Sequence, residues 1–112
     1  MRPEDVIRLR HMLDAALEAL EFAKGRSRED LASERMLTMA LVKEIEIIGE
    51  AAYQLADESK EEIPDIPWLD IIGMRHRLVH AYYDINLMVL WAALQEDLPP
   101  LIKSLKKALS NR

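Results

Sequence analysis

The residues from Leu37 to Leu55, LTMALVKEIEIIGEAAYQL, form the longest apolar helix pattern in the chain. Apolar side chains recur there every three or four positions, at Leu37, Leu41, Ile45, Ile48, Ala52 and Leu55. This stripe is widened by Met36, Met39, Val42 and Ile47. A helix that is apolar over so much of its circumference lies between neighbours, in a bundle or across a dimer interface. We therefore expect a buried helix two from about Arg28 to Asp57, with Gly49 at a close helix–helix contact.

The same spacing predicts further helices on both sides of this one. They are expected at about Pro3 to Lys24, about Trp68 to Ala81, and from about Leu87 to Leu109. Residues 57–67, with two prolines, are predicted to form a loop, and Asp84 is predicted to cap the last helix. The predicted fold is all-α: an up-and-down bundle of four to five helices, the last one kinked or split at Pro99-Pro100.

Composition limits the class of protein. The 112 residues suit one domain, 1–112, and half of them are hydrophobic. The absence of cysteine excludes disulfides and thiolate metal sites and is compatible with a cytoplasmic protein. No apolar run approaches the roughly 20 residues that cross a bilayer, so we expect no membrane association. The net charge of −5 argues against a generally basic nucleic-acid-binding surface, so any RNA contact must be local or shared between subunits.

The candidate chemistry lies between Gly73 and Asn86, GMRHRLVHAYYDIN. Arg75, His76, Arg77 and His80 place cationic or titratable groups within six residues of an acidic chain. Arginine binds a phosphate through a planar set of donors, and histidine transfers protons near neutral pH. Metal-free RNA cleavage needs a base for the 2′-hydroxyl, an acid for the leaving oxygen and a cation for the phosphorane. Arg75 is the candidate cation, and His80 the candidate base or acid.

On one continuous helix these two residues do not share a face. Five positions at about 100° each separate Arg75 from His80 by about 140° after one full turn. The Arg75 side chain would have to swing round, or the helix would have to distort near His80. A two-fold dimer offers an alternative, which we prefer, because it pairs the arginine of one subunit with the histidine of the other.

A metal site is a competing interpretation of the same segment. On a helix, His76 and His80 share a face at i and i+4, with Asp84 one turn further on. Two histidines are a weak signal, and no H-E-x-x-H pattern accompanies them. We therefore expect no metal and no cofactor, with a helical metal-site protein as a lesser possibility.

Three motifs, in order and with matching spacing, resemble one known family. Arg75, His80 and Tyr82 spell R-xxxx-H-x-Y, the signature of the HepT-like branch of the HEPN superfamily. The stretch 45–51, IEIIGEA, is similar to the helix-two motif of that family. Residues 66–75, IPWLDIIGMR, are similar to its approach to the active helix. The resemblance extends along nearly the whole chain.

The resemblance implies a function that composition does not. HepT-like proteins are ribonuclease toxins of toxin–antitoxin modules, and they act as homodimers with two signatures facing a shared cleft. Arg75 and His80 would then be catalytic. The implied partner is a MntA-like nucleotidyltransferase antitoxin that transfers AMP onto Tyr82, in a hetero-oligomer of unknown size. The phosphate of the adenylate would bind the Arg75 cation in place of the RNA phosphate, and its bulk would keep RNA out of the site.

Further residues are candidates for an auxiliary role. His76 follows the arginine, at a position often held by asparagine in HEPN proteins, and would help to position the phosphate. Glu46 and Glu50 share a helix face and would support Arg75 or a metal, or else form a polar patch in a helix interface. Lys43 stands where relatives often carry arginine, which keeps the charge but loses the planar donor set. The alternative function is a non-catalytic helical module that binds a nucleotidyltransferase partner or a nucleotide.

Overall fold

A computed structural model describes residues 1–81, 84–110 and 112 of the chain, and these are mainly helical. The helices are α1 Pro3–Ala23, α2 Arg28–Ser33, α3 Arg35–Gln54, α4 Asp57–Glu61, α5 Trp68–Ile72, α6 Met74–Leu78, α7 Leu87–Ala92 and α8 Leu98–Leu109. A π-helical turn, Ala93–Asp97, joins α7 to α8. Two short strands, β1 Val79–Ala81 and β2 Asp84–Ile85, form an antiparallel pair. The predicted all-α bundle is confirmed.

The packing of α1 against α3 forms the centre of the core. The fully buried side chains of α1 include Leu9, Met12, Ala16 and Ala19, and those of α3 include Leu41, Ile45, Ile48 and Ala52. Both sets recur at three- and four-residue spacing, as the sequence predicts for facing helices. The alanines let the two backbones approach closely. Leu98, Leu101 and Leu105 of α8 complete the same buried cluster. None of the described helices has the length and apolar character that a bilayer crossing requires.

The helix predicted from about Arg28 to Asp57 is divided into α2 and α3, because the chain breaks at Glu34. The Ser27 N–H donates to the Asp30 carboxylate at 2.7 Å, so α2 starts where the sequence predicts. Glu34 then leaves helical geometry, with φ −113° and ψ 84°, and α3 starts anew. The Thr38 hydroxyl donates to the Leu31 carbonyl at 2.7 Å, which satisfies an oxygen at the end of α2. An ion pair between Arg26 and Glu34, at 2.6 Å, joins the two ends of α2 and holds the residue at which the chain breaks.

Residues 57–67 are not wholly irregular, since α4 occupies their first turn. The buried Asp5 carboxylate holds this helix against α1. It accepts from the Ser59 hydroxyl at 2.6 Å and from the Ala56 N–H at 3.2 Å. Burial raises the pKa of Asp5, but these bonds and the Arg8 guanidinium more than offset that effect, and the net shift is downward. The predicted loop therefore contains a helical turn that is bonded to the N-terminal helix.

The last helix is split near the two prolines, as predicted. Pro99 and Pro100 lie in the first turn of α8, where a missing N–H is tolerated. Neither can donate to a carbonyl four residues earlier, so the α-helical ladder cannot pass through them. The π-helical turn lies directly before them, at the point where the ladder changes.

Helix three is shorter than predicted, and its expected extent to Ala81 is wrong. A break at Gly73 separates α5 from α6, and α6 ends at Leu78. Val79, a β-branched residue, adopts extended geometry and pairs with Ile85. The Asn86 N–H donates to the Leu78 carbonyl at 2.7 Å and closes the hairpin. Asn86, not Asp84, caps the next helix, because its side chain accepts from the Met88 and Val89 N–H groups.

Glu44 is a buried acid in the core-facing side of α3. Its side chain is 5% exposed, and Oε2 has no hydrogen-bond partner within the described ranges. It lies with Glu18, Asp14 and His11 of α1 around a cavity of about 200 Å³. Burial, followed by the adjacent Glu18 carboxyl, raises the pKa of Glu44 to about 7. The α1–α3 interface thus holds a carboxyl that is protonated more readily than an exposed one.

We expect Glu44→Gln to change how stability depends on pH. The folded state keeps a proton that the unfolded chain releases at the ordinary pKa of 4.5, so the free energy of unfolding falls as pH rises from 4.5 through about 7. Glutamine does not titrate. The free energy of unfolding of Glu44→Gln, relative to that of wild type, should therefore rise across that pH window by on the order of 2 kcal/mol.

Urea unfolding across that pH window measures this difference. Glu21→Gln changes an exposed acid of α1 and is the matched control. If the free energies of unfolding of wild type and Glu44→Gln change in parallel with pH across that window, the raised pKa of Glu44 is contradicted.

Candidate active site

Arg75 lies on the short helix α6, where local packing turns it outward. Met74 and Leu78 are buried on one face of α6, which leaves Arg75, His76 and Arg77 exposed. Gly73 separates α6 from α5 at this point. A Cβ at Gly73 would lie 3.2 Å from the Leu69 carbonyl oxygen, which is closer than a larger residue normally tolerates. The Arg75 side chain is 48% exposed, so it can meet a ligand from solvent.

Glu46 of α3 holds the Arg75 guanidinium. The Arg75 Nε donates to Glu46 Oε2 at 3.0 Å, and the Lys43 Nζ approaches Glu46 Oε1 at 3.4 Å. The hydrogen bond from Arg75, with a further one from Lys43, lowers the pKa of Glu46 despite the opposing effect of burial. The carboxylate therefore stays ionised at neutral pH. Because the bond uses Nε, the terminal nitrogens of Arg75 remain available to an anion; they make no hydrogen bond to the residues that the structure describes.

Two pockets lie on either side of the α3 ridge that carries Glu46 and Glu50. The first, of about 260 Å³, is lined by Glu46, Gly49, Glu50, Tyr53, Ile72 and Arg75. The second, of about 300 Å³, is lined by Arg8, His11, Lys43, Glu46, Ile47, Glu50, Ala51 and Gln54. Glu50 thus lines the same pocket as Arg75 without a hydrogen bond to it. The structure brings together Arg75, Glu46 and Glu50 from the predicted set.

Sequence reasoning missed Tyr53, Arg8 and His11. Tyr53 follows Glu46 by seven positions and Gly49 by four, so helical spacing alone places all three on one face. The sequence alone therefore suffices to predict that Tyr53 lies beside Glu46 and Gly49. Arg8 and His11 belong to another helix, and their position opposite Lys43 depends on the packing of α1 against α3, which no spacing in either helix reveals.

A cavity beside Arg77 has the wrong charge for RNA. It measures about 470 Å³ and lies between α5 and the start of α8. Its charged lining consists of Arg77 and four carboxylates, those of Asp65, Asp70, Glu96 and Asp97. The Arg77 guanidinium donates to the Asp70 carbonyl at 3.1 Å. Phosphate would be repelled here, so the Arg75 side of α3 is the better candidate.

His80 and His76 are exposed, but they do not share a helix face. His80 lies on β1, between the partly buried Val79 and Ala81, because α6 ends before it. The predicted i, i+4 arrangement of His76, His80 and Asp84 is therefore wrong, and the angle computed for one continuous helix does not apply. Within residues 1–81, 84–110 and 112, neither histidine contacts Arg75 by hydrogen bond, and no group of three His, Asp or Glu side chains is placed to hold a metal. Tyr82 lies outside the described residues.

Comparison with known proteins identifies the family. A sequence model of the family described as "Ribonuclease HepT-like" matches residues 12–108. The chain belongs to the HepT-like ribonuclease family. This agrees with the resemblance carried by the R-xxxx-H-x-Y signature.

Several relatives of this HepT-like chain are similar over most of their length. A "Putative RNase" of Caldanaerobacter subterraneus subsp. tengcongensis is 38% identical over 101 residues, 90% of each chain. A "Probable ribonuclease HepT" of Thermococcus cleftensis is 34% identical over 93 residues, 80% of this chain and 84% of the relative. A "Putative RNase" of Methanocaldococcus jannaschii is 31% identical over 95 residues, 85% of this chain and 87% of the relative. No solved structure matches the chain.

We expect Glu46→Gln to weaken the hydrogen bond from the Arg75 Nε–H without unfolding the protein, because a neutral amide oxygen is a poorer acceptor than a carboxylate. The pair is about half exposed, so its loss should change the free energy of unfolding by less than about 1 kcal/mol. In ¹H–¹⁵N spectra of the arginine side chains, the Arg75 Nε–H signal should shift and exchange faster with water.

Glu50→Gln is the matched control, because Glu50 lines the same pocket without bonding to Arg75. An Arg75 signal that is unchanged by Glu46→Gln, or that responds equally to Glu50→Gln, would show that Glu46 does not hold the guanidinium.

Proposed function

We propose that this HepT-like protein is a metal-independent RNA endonuclease and the toxin of a toxin–antitoxin module. One observation carries the proposal: Glu46 holds Arg75 through Nε beside a pocket, and the terminal nitrogens of the guanidinium stay available to a phosphate. Family membership and the names of the relatives support a ribonuclease. The alternative, a non-catalytic module that binds a nucleotidyltransferase or a nucleotide, shares this fold but needs no cleavage.

The chemistry requires two functional groups from the chain. Arg75 binds the scissile phosphate and stabilises the extra negative charge of the phosphorane. His80 takes the proton of the attacking 2′-hydroxyl, or supplies the proton of the leaving 5′-oxygen, and water exchanges the other proton. The P–O5′ bond breaks as the 2′-oxygen bonds to phosphorus, which leaves a 2′,3′-cyclic phosphate and a free 5′-hydroxyl. His76 follows Arg75 on the exposed face and is proposed to help position the phosphate.

A two-fold homodimer would complete this site. Arg75 and His80 of one subunit are not hydrogen-bonded to each other within the described ranges, whereas a dimer can place Arg75 opposite His80 of the partner subunit. The dimer also brings two sets of cations together on a chain with a net charge of −5. A shared cleft is therefore the arrangement that best reconciles an acidic protein with an anionic substrate.

We expect Arg75→Ala and His80→Ala each to lower RNA cleavage in EDTA by at least about 100-fold, since each removes a group used in the transition state. Arg77→Ala is the control of matched chemistry, because Arg77 faces the acidic cavity on the other side of α6 from Arg75. Cleavage is followed by gel electrophoresis of labelled RNA, and the dimer by size-exclusion chromatography.

Mixing the two inactive variants tests the shared cleft. After subunit exchange, half of the dimers are mixed, and each holds one complete pair, so activity should recover to about a quarter of wild type. No recovery from exchanged dimers would exclude a site shared between subunits. If wild type and both variants leave RNA equally intact, the non-catalytic binding module remains as the function.

The proposed antitoxin is a MntA-like nucleotidyltransferase that transfers AMP onto Tyr82. The adenylate would carry a phosphate and a base two residues from His80, where it would compete with RNA for Arg75 and block entry. With the nucleotidyltransferase and ATP, we expect the chain to gain the mass of one adenylate group and to lose RNA cleavage.

Tyr82→Phe should abolish the mass gain, because it removes the hydroxyl that accepts the adenylate, and Tyr83→Phe should not. Intact-mass spectrometry measures both. An adduct that persists on Tyr82→Phe would place the modification at another residue.

A further inference from the structure

Tyr53 is a large aromatic side chain on an open surface. It lies near the C-terminal end of α3 and is 67% exposed. Its hydroxyl makes no hydrogen bond to the described residues, so neither the core nor a polar network accounts for its position. The ring lines the same pocket as Arg75. Exposed aromatic rings beside a phosphate-binding cation are typical of surfaces on which unpaired bases stack.

The floor of this pocket is apolar and shallow. Gly49 contributes no side chain, and a Cβ there would lie 3.4 Å from the Ile72 carbonyl oxygen, so α3 and α5 run close together beneath it. Ile72 adds a partly buried aliphatic surface. The Tyr53 ring and the Arg75 guanidinium, two planar groups, line the same space of about 260 Å³. Such a space favours a flat, mainly apolar ligand group.

The charges of the lining determine which part of a nucleotide can enter. Glu46 and Glu50 both line the pocket, and their carboxylates repel a second phosphate. A nucleobase is flat and uncharged, and its N–H groups can donate to a carboxylate such as that of Glu50. The phosphate next to that base can still reach the terminal nitrogens of Arg75. Charge and shape therefore favour the base in the pocket and the phosphate at its edge.

We propose that the pocket formed by Tyr53, Gly49 and Ile72 binds an unpaired nucleobase of single-stranded RNA, stacked on the Tyr53 ring beside the phosphate held by Arg75. The proposal rests on the proposed function for the identity of the ligand and extends it to the substrate class. Bases in a duplex are already stacked inside the helix and cannot enter. The substrate is accordingly an unpaired region of RNA.

Binding of a short single-stranded 2′-O-methyl RNA tests the proposal, because the blocked hydroxyl prevents cleavage. Stacking on an aromatic ring contributes enough that Tyr53→Ala should weaken binding by about ten-fold. Tyr53→Phe should bind as wild type does, since stacking needs the ring and not the hydroxyl. Leu69→Ala, at an 86% exposed apolar residue of α5 that does not line the pocket, is the matched control and should have no effect.

A second probe separates stacking from any other effect of the substitution. An oligonucleotide with the same backbone but abasic positions should bind wild type and Tyr53→Ala equally, and so should a duplex. Equal affinity of wild type and Tyr53→Ala for the intact single strand would overturn the proposal. So would an equal loss on the abasic strand, or a dimer dissociated by Tyr53→Ala, which would make Tyr53 an interface residue.

The test of the base pocket can fail or succeed independently of the test of Arg75 and His80 as catalytic residues. If Arg75→Ala and His80→Ala leave cleavage intact while Tyr53→Ala weakens binding of the intact strand alone, the base pocket stands and the proposed catalytic residues fail. If those variants abolish cleavage while Tyr53→Ala binds and cleaves as wild type does, the nuclease stands and the base pocket fails.

Discussion

The packing of α3 against α1 is the constraint on which the other features depend. The apolar stripe of α3 is buried against the alanine-rich face of α1, and this fixes which residues of α3 remain at the surface. Its opposite edge carries Glu46, Glu50 and Tyr53, and α5 packs close to that edge at Gly49. The surface that faces Arg75 is therefore a geometric consequence of how α3 buries its other side.

A second constraint acts on Arg75 itself. The chain breaks at Gly73 and again after Leu78, so α6 is a single short helix between two changes of direction. Met74 and Leu78 anchor it in the core, and Glu46 accepts the Arg75 Nε–H from outside. Buried apolar contacts position the backbone, and one half-exposed ion pair orients the side chain. Together they place Arg75 beside the pocket.

The sequence predicts the α-helical bundle, the apolar face of α3 and the split last helix, because these follow from periodicity and from proline chemistry. The sequence does not decide whether Glu46 lies beside Arg75, because the two residues are 29 positions apart and only packing brings them together. The strand at Val79 was missed because Met74 and Leu78 continue a helical pattern. Pairing with Ile85 and the bond from Asn86 to Leu78 decide that conformation. Likewise, the break at Glu34 depends on Arg26 and Thr38, on either side of it.

The Glu46 carboxylate is shared by two neighbours that lie on different sides of α3. Lys43 approaches one of its oxygens and Arg75 donates to the other, and the residue lines both pockets. Because one carboxylate serves both cations, any change of Glu46 alters the surroundings of Lys43 and of Arg75 at once, and with them the lining of both pockets.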